Sequence, residues 1–224
     1  MFSVLFEVHP RSEEWETYLH HAKMLRPELE AIDGFVDNIR YRSLTRDGWV
    51  LSLSGWRDEK ALVRWRTHAG HHDAQTQGRA TVLLDYHLRV GQLTHDSAPP
   101  PNYHLSEQRL DQTETGEATT IALIDVQDAN TDDPTALAHR LGLDEAAPGL
   151  VGWDVFNAVL TPGDVILLLA WRELAYAEAF RKQVEPPPQA RFRQVRVIRD
   201  YALLDRHEAP QFYPAPQWCQ SATE

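Results

Sequence analysis

The stretch "VRWRTHAGHHDAQ", residues 63 to 75, gathers Trp65, His68, His71 and His72 into little more than three helical turns. A neutral imidazole with a pKa near ~6.5 can take a proton from a phenol or an enol near neutral pH, and an indole beside it can stack on the ring. At about 100° per residue, Ala61, Leu62, Trp65, His68 and Ala69 share one side of a helix and face a sheet, whereas Arg64 and Thr67 face water. Beyond Gly70 the register is open, so spacing alone leaves undecided whether His71 or His72 turns inward. His68, His71 and His72 are the candidate catalytic residues, with Trp65 on the substrate; the plainer alternative is a polar helix end holding one satisfied histidine. A metal site is not expected. Two of these imidazoles could meet one ion, but no Asp or Glu motif is paired with them and no H-E-x-x-H pattern is present.

Composition limits what such a cluster can serve. The chain has 224 residues and a formal net charge of −11. Nucleic acid and anionic membranes are therefore disfavoured as partners, since either needs clustered Lys and Arg. The single cysteine, Cys219, can form no internal disulfide and supports no thiolate metal site. "MFSVLFEVHPRSEEW" lacks a basic region before its apolar run, and nothing approaches the ~20 apolar residues of a membrane span. The expectation is a cytoplasmic protein acting on a small molecule.

An internal repeat supplies the elements that must position the cluster. "GFVDNIRYRSLTRDGWVLSLSGWRDE" lies over "GLVGWDVFNAVLTPGDVILLLAWREL" at a constant offset of 115, pairing Gly34 with Gly149, Trp56 with Trp171 and Arg57 with Arg172. The same offset runs on without a gap through Trp65 and Phe180, Asp85 and Asp200, and Tyr86 and Tyr201. Each copy opens on an alternating strand, "FSVLFEV" or "TTIALIDV". A helix follows, from about Ser12 as N-cap to about Ile32 in copy one and near Pro134 to Leu141 in copy two. Two strands joined through "TRDG" or "TPGD" come next, then a second helix, "DEKALVRWRTHA" in copy one, and a last strand.

The order β-α-β-β-α-β, twice, predicts an α+β protein of two fused ferredoxin-like repeats whose antiparallel sheets pack into an α+β barrel. Packing is expected within the chain, an intramolecular pseudo-dimer, with Phe6, Val36, Val50 and Leu53 or their neighbours meeting Ile121, Val151, Val165 and Leu168; further homodimerisation stays open. Repeat 1 spans 1–95, a Pro-, Ser- and Thr-rich linker 96–117, repeat 2 118–207, and a tail with Phe212, Tyr213 and Trp218 covers 208–224 as a strap.

The first copy, "FVDNIRYRSLTRDGWVLSLSGWRDEKALVRWRTHAGHHDAQTQGRATVLLDYHLRV", resembles the antibiotic biosynthesis monooxygenase family: a hairpin, a strand ending in Gly-Trp, a Trp-bearing helix with H-x-x-H, then Gly-Arg and a strand with Asp-Tyr. The second copy resembles its framework only. That likeness implies a dimeric α+β barrel. For some members it also implies oxygenation of aromatic polyketides without metal or organic cofactor, and for others degradation of haem. Haem-degrading members carry their ligand histidine where this chain has Ala74 and Gln75, and an asparagine where it has Glu7 and His9. No cofactor is therefore expected, with haem kept open by the three nearby histidines.

Comparison of the copies separates scaffold from chemistry. Trp56/Trp171, Arg57/Arg172 and Asp85/Asp200 occur in both and read as folding requirements. His68 faces Gln183, while His71, His72 and Asp73 face Pro186, Pro187 and Pro188, which cannot continue a helix. A single site therefore belongs to copy one. On "FVDNIRYRS", Asn38 and Arg40 share a face and could line the same pocket, Asn38 as donor to an enolate oxygen. Arg42 is expected to face solvent, His20 and His21 to be solvated, and Tyr86 to be core. The expected function is a cofactor-independent, monooxygenase-like enzyme for a small electron-rich aromatic or quinol. Its rival is a non-catalytic small-ligand or haem-binding protein on the same barrel.

Overall fold

The structure, a computed structural model, describes residues 1–106, 115–127 and 129–204. Copy one contributes β1 (Phe2–Pro10), α1 (Trp15–Glu30), β2 (Phe35–Ser43), β3 (Val50–Trp56), α2 (Glu59–Arg66), α3 (Ala69–Gln77) and β4 (Leu83–Asp96). Copy two contributes β5 (Thr120–Val126), α4 (Pro134–Arg140), β6 (Leu150–Ala158), β7 (Val165–Trp171), α5 (Leu174–Gln183) and β8 (Arg191–Ala202). The hairpins turn at Gly48 and Gly163, whose φ values of 74° and 99° are open to glycine at little steric cost. The strand boundaries place the inter-repeat segment between Asp96 and Thr120; the aromatic tail residues lie outside the described residues.

The eight strands form one closed antiparallel barrel in the order β1-β3-β2-β6-β7-β5-β8-β4. Within each copy the order is that of a ferredoxin-like unit, β4-β1-β3-β2 and β8-β5-β7-β6. Closure runs through edges as well as faces. β4 pairs with β8 from His87↔Ala202 to Asp96↔Arg193, and β2 pairs with β6 over Tyr41↔Ala158 to Ser43↔Phe156. Both ladders join copy to copy, which removes every sheet edge.

The barrel interior holds Leu5, Leu51, Leu53, Ile121, Phe156, Ile166 and Leu168, with Val36 and Val151 against them. Phe6, Val50 and Val165, expected there, point outward to the helices instead. Strand alternation is the reason: Val50 and Leu53 are three residues apart and cannot share a face, so Leu51 and Ile166 fill the inward places.

α1 also differs from expectation. Ser12 does not cap it; Ser12–Glu14 form a 3-10 turn, the Ser12 hydroxyl donates to Glu13, and the helix proper begins at Trp15. Asp58 caps α2 by accepting from the Ala61 amide at 2.8 Å. The residues shared by both copies are structural here. Trp56 is fully buried, donates Nε1 to Ser54 Oγ at 2.9 Å and meets Phe35 edge-on at 5.5 Å. Arg57 pairs with Asp33, and Arg172 with Glu117. Asp200 meets His87 at 2.5 Å across the β4–β8 seam, and Tyr86 is buried. No helix among the described residues is long and apolar enough to cross a membrane.

Candidate active site

The packing outside the barrel is unequal between the copies. Beneath α4 and α5 a single cluster built on Ile124, Leu137, Leu141, Leu167, Trp171 and Phe192, with Phe180 against it, fills the space. Beneath α1, α2 and α3 the core divides into one group around Tyr18, Val82, Tyr86 and Tyr201 and another around Phe2, Leu29, Trp56 and Leu62. A cavity of about 230 Å³ lies between them and is lined from both.

Its polar wall explains the division. Asn38, Arg40, Ser52 and Ser54 line the cavity from β2 and β3. At the repeat offset their counterparts are Trp153, Val155, Leu167 and Leu169, and Val155, Leu167 and Leu169 are buried among copy two's core residues. Small or hydrogen-bonding side chains hold the copy-one space open where aromatic and branched chains close the other. A β-bulge between Phe35 and Asp37 brings Phe35 and Asn38 onto the same face despite their spacing of three, and the bulge at Leu150/Gly152 repeats it.

α2 ends earlier than its sequence suggests. The Thr67 hydroxyl donates to the Val63 carbonyl at 2.9 Å, and His68 adopts extended backbone, φ −65° and ψ 131°, as the N-cap position of a new helix, α3. The continuous helix of the sequence reading is thus broken before Gly70, and the angular placement of His68 does not hold. Its ring still stacks on Trp65, centres 5.7 Å apart, but faces Glu28 at 3.5 Å and remains partly exposed outside the cavity lining. His72 is exposed.

His71 is the member of the three that lines the cavity. Its imidazole lies parallel to the Trp65 indole at 4.3 Å, and its Nδ1 is 3.0 Å from the Trp65 carbonyl oxygen. That carbonyl also accepts from the His68 amide at 3.1 Å, where α2 terminates. Because a carbonyl only accepts, Nδ1 carries the proton and Nε2 keeps its lone pair, with the Gln75 amide nitrogen 3.5 Å away. Burial pushes the imidazole down to about 4, reinforced by His68, His72 and Arg79. The ring is neutral at pH 7, an acceptor of hydrogen bonds and a weaker base than the ordinary histidine the sequence suggested.

Asn38 and Arg40 share the cavity face as expected. Asn38 Nδ2, however, donates to Ser52 Oγ at 2.9 Å and to the Leu53 carbonyl at 3.3 Å, so its two protons serve the sheet and an oxyanion would find neither. Arg42 is exposed, with its guanidinium 4.7 Å above the Trp15 ring. His21 lines the cavity rather than standing in solvent, as His20 does.

Four lining residues escaped the sequence reading, in two different ways. Ser52 and Ser54 were legible at the repeat offset, as polar residues facing leucines. Arg199 and Tyr201 come from β8 of copy two and reach the copy-one cavity because β8 extends along β4; no local pattern signals this.

Among the described residues no group of three or more His, Cys, Asp or Glu side chains is placed to hold a metal ion. Haem fits the site poorly. Ala74 and Gln75 offer no imidazole, His71 is stacked flat on Trp65, and about 230 Å³ falls below the ~300–1,000 Å³ of sites for drug-sized ligands; a porphyrin needs more.

Residues 1–77 match the family model described as antibiotic biosynthesis monooxygenase. The chain is 48% identical over 219 residues to the protein named jasmonate monooxygenase ABM of Pyricularia oryzae, covering 96% of this chain and 99% of the relative. The fold is shared with the crystal structure of an aldoxime dehydratase in complex with butyraldoxime, at 12% identity and a TM-score of 0.54 over 88% of this chain and 79% of that one. A solved antibiotic biosynthesis monooxygenase aligns along its whole length with 44% of this chain, at 14% identity and a TM-score of 0.37. On the near-full-length identity, this chain belongs to the antibiotic biosynthesis monooxygenase family.

Proposed function

We propose that this chain is a monooxygenase acting on a small, largely apolar ring compound held in the copy-one cavity. The observation that carries the reading is the asymmetry of the repeat: the space is open and partly polar beside Trp65 and His71, and filled with apolar side chains in the second copy. The named relative makes jasmonate, a small ring compound bearing an acid side chain, the first substrate to test. Electron-rich aromatics and quinols form the second, because Phe6, Tyr18, Trp65 and Tyr86 supply aromatic walls.

In this reading Trp65 faces the substrate ring and His71 Nε2 accepts a hydrogen bond from its hydroxyl or enol, fixing orientation. No cofactor is assigned to the site. For an activated ring methylene the balance closes on substrate and dioxygen alone: the methylene loses two hydrogens and gains one oxygen as a carbonyl, and the other oxygen leaves as water. A simple hydroxylation instead takes two electrons and two protons from an added reductant. The test is incubation of purified protein with jasmonate, or with an anthrone, under isotopically heavy dioxygen, with and without NADPH as reductant. Product carrying one heavy oxygen, lost in His71→Ala, is expected; absence of such product in every arm overturns the reading.

A further inference from the structure

The charges around the cavity are strongly biased. Arg40, Arg66, Arg79 and Arg199 line it, against Glu59 as the acidic lining residue, in a protein whose net charge is −11. Three of these guanidinium groups, Arg66, Arg79 and Arg199, act together on the hydroxyl of the buried Tyr201, each favouring its ionised form against the burial that opposes it. Arg199 and Tyr201, two residues apart on β8, lie on one face of that strand, and both line the same cavity as Arg66 and Arg79. Glu59 lies 3.9 Å from Arg199 and offsets part of this charge.

The repeat shows that the bias is particular to copy one. Arg79 and Arg199 correspond to Gln194 and Leu84. Arg66 is matched by Arg181, so the difference between the copies lies in Arg79 and Arg199. A positive group of this kind in a largely apolar enclosure is suited to one ligand chemistry, an anion with a planar pair of oxygens at the end of an apolar body.

We infer that Arg66, Arg79 and Arg199, with the Tyr201 hydroxyl, form a carboxylate anchor, so that the cavity selects small amphipathic acids and the second copy contributes two of the four anchoring groups. The acid end sits against the arginines and the apolar body extends toward Trp65 and His71. The inference names the substrate class of the function proposed above and rests on that reading for the site.

Calorimetric titration of the full chain with jasmonate and with phenylbutyrate, each against its methyl ester, tests it. Both acids should bind at least about tenfold more tightly than their esters. Arg199→Gln should cost the acids about tenfold and leave ester binding within about twofold. Glu59→Gln should tighten acid binding, a direction that damage to the fold does not produce, and it decides the matter if Arg199→Gln fails to fold. Acids binding no better than esters, no binding by either, or an unchanged or weakened affinity in Glu59→Gln each overturn the anchor. Acid preference without oxygenated product retains the anchor and removes the proposed function. Oxygenation of neutral rings with no acid preference does the reverse.

Discussion

The His71 imidazole lies 4.3 Å from the Trp65 indole, tilted by 15°, and is tied through Nδ1 to the carbonyl of that same residue at 3.0 Å. One residue thus sets the ring's plane, its position and its tautomer. The same carbonyl accepts from the His68 amide at 3.1 Å, so the turn that ends α2 and the orientation of the imidazole meet at one oxygen.

His71→Ala should lower kcat/KM for the oxygenation by at least about tenfold while changing stability by about 1 kcal/mol. His72→Ala should change neither, because that side chain is exposed. Steady-state kinetics and urea unfolding of the two variants check this; equal losses in both would remove His71 from its assigned place.

The lowered His71 value, to about 4, links to stability with a definite sign. The unfolded chain takes up a proton near ~6.5 and the folded one only near 4, so the term vanishes above ~6.5 and stability is lost as pH falls from there toward 4. The loss should amount to roughly 2 kcal/mol, discounted for the ring's residual solvent contact. Comparing urea midpoints of wild type and His71→Gln at pH 7 and pH 4.5 isolates it: the variant should lose less. An equal drop in both would show that other groups carry the acid sensitivity.

Arg46 bridges the copies, bonding Glu7 of β1 at 2.5 Å and Asp154 of β6 at 2.6 Å, and both carboxylates are buried. Glu7 is also held by Arg89, and Asp154 by Ser43 and Thr45. Arg46→Met should cost roughly 3 kcal/mol by leaving buried charge undercompensated, with Arg46→Lys intermediate. Equilibrium unfolding measures this, and a neutral result would show that the seam does not need the pair.

Grafting copy two's residues, Ser52→Leu with Ser54→Leu, should fill the cavity. Trp56 Nε1 and Asn38 Nδ2 then lose acceptors at 2.9 Å each, a cost of about 1–2 kcal/mol per orphaned donor offset in part by new apolar burial. Copy two tolerates such an orphan, since Trp171 Nε1 is buried without a hydrogen-bond partner among the described residues. A folded protein that neither binds nor oxidises the substrate is the expected result; retained turnover would place the site elsewhere.

Repetition and alternation made much of this protein legible in its sequence. A constant offset of 115 identified two equivalent units, alternation in "FSVLFEV" and "TTIALIDV" showed half-buried strands, and the prolines opposite His71 and His72 pointed to copy one. Such signals arise because residues within one element see the same geometry every two or 3.6 positions.

The tertiary structure decided what those periods cannot carry. The choice of His71 over His72 followed from where the backbone leaves the helix, at Thr67 and His68, and Asn38 proved to be engaged by Ser52. Arg199 and Tyr201 entered the site from more than a hundred residues away through the β4–β8 ladder. Sequence determined the elements and where the two copies differ, because both are written in local spacing; the make-up of the cavity wall depends on which distant strands meet, and that is set only when the barrel closes.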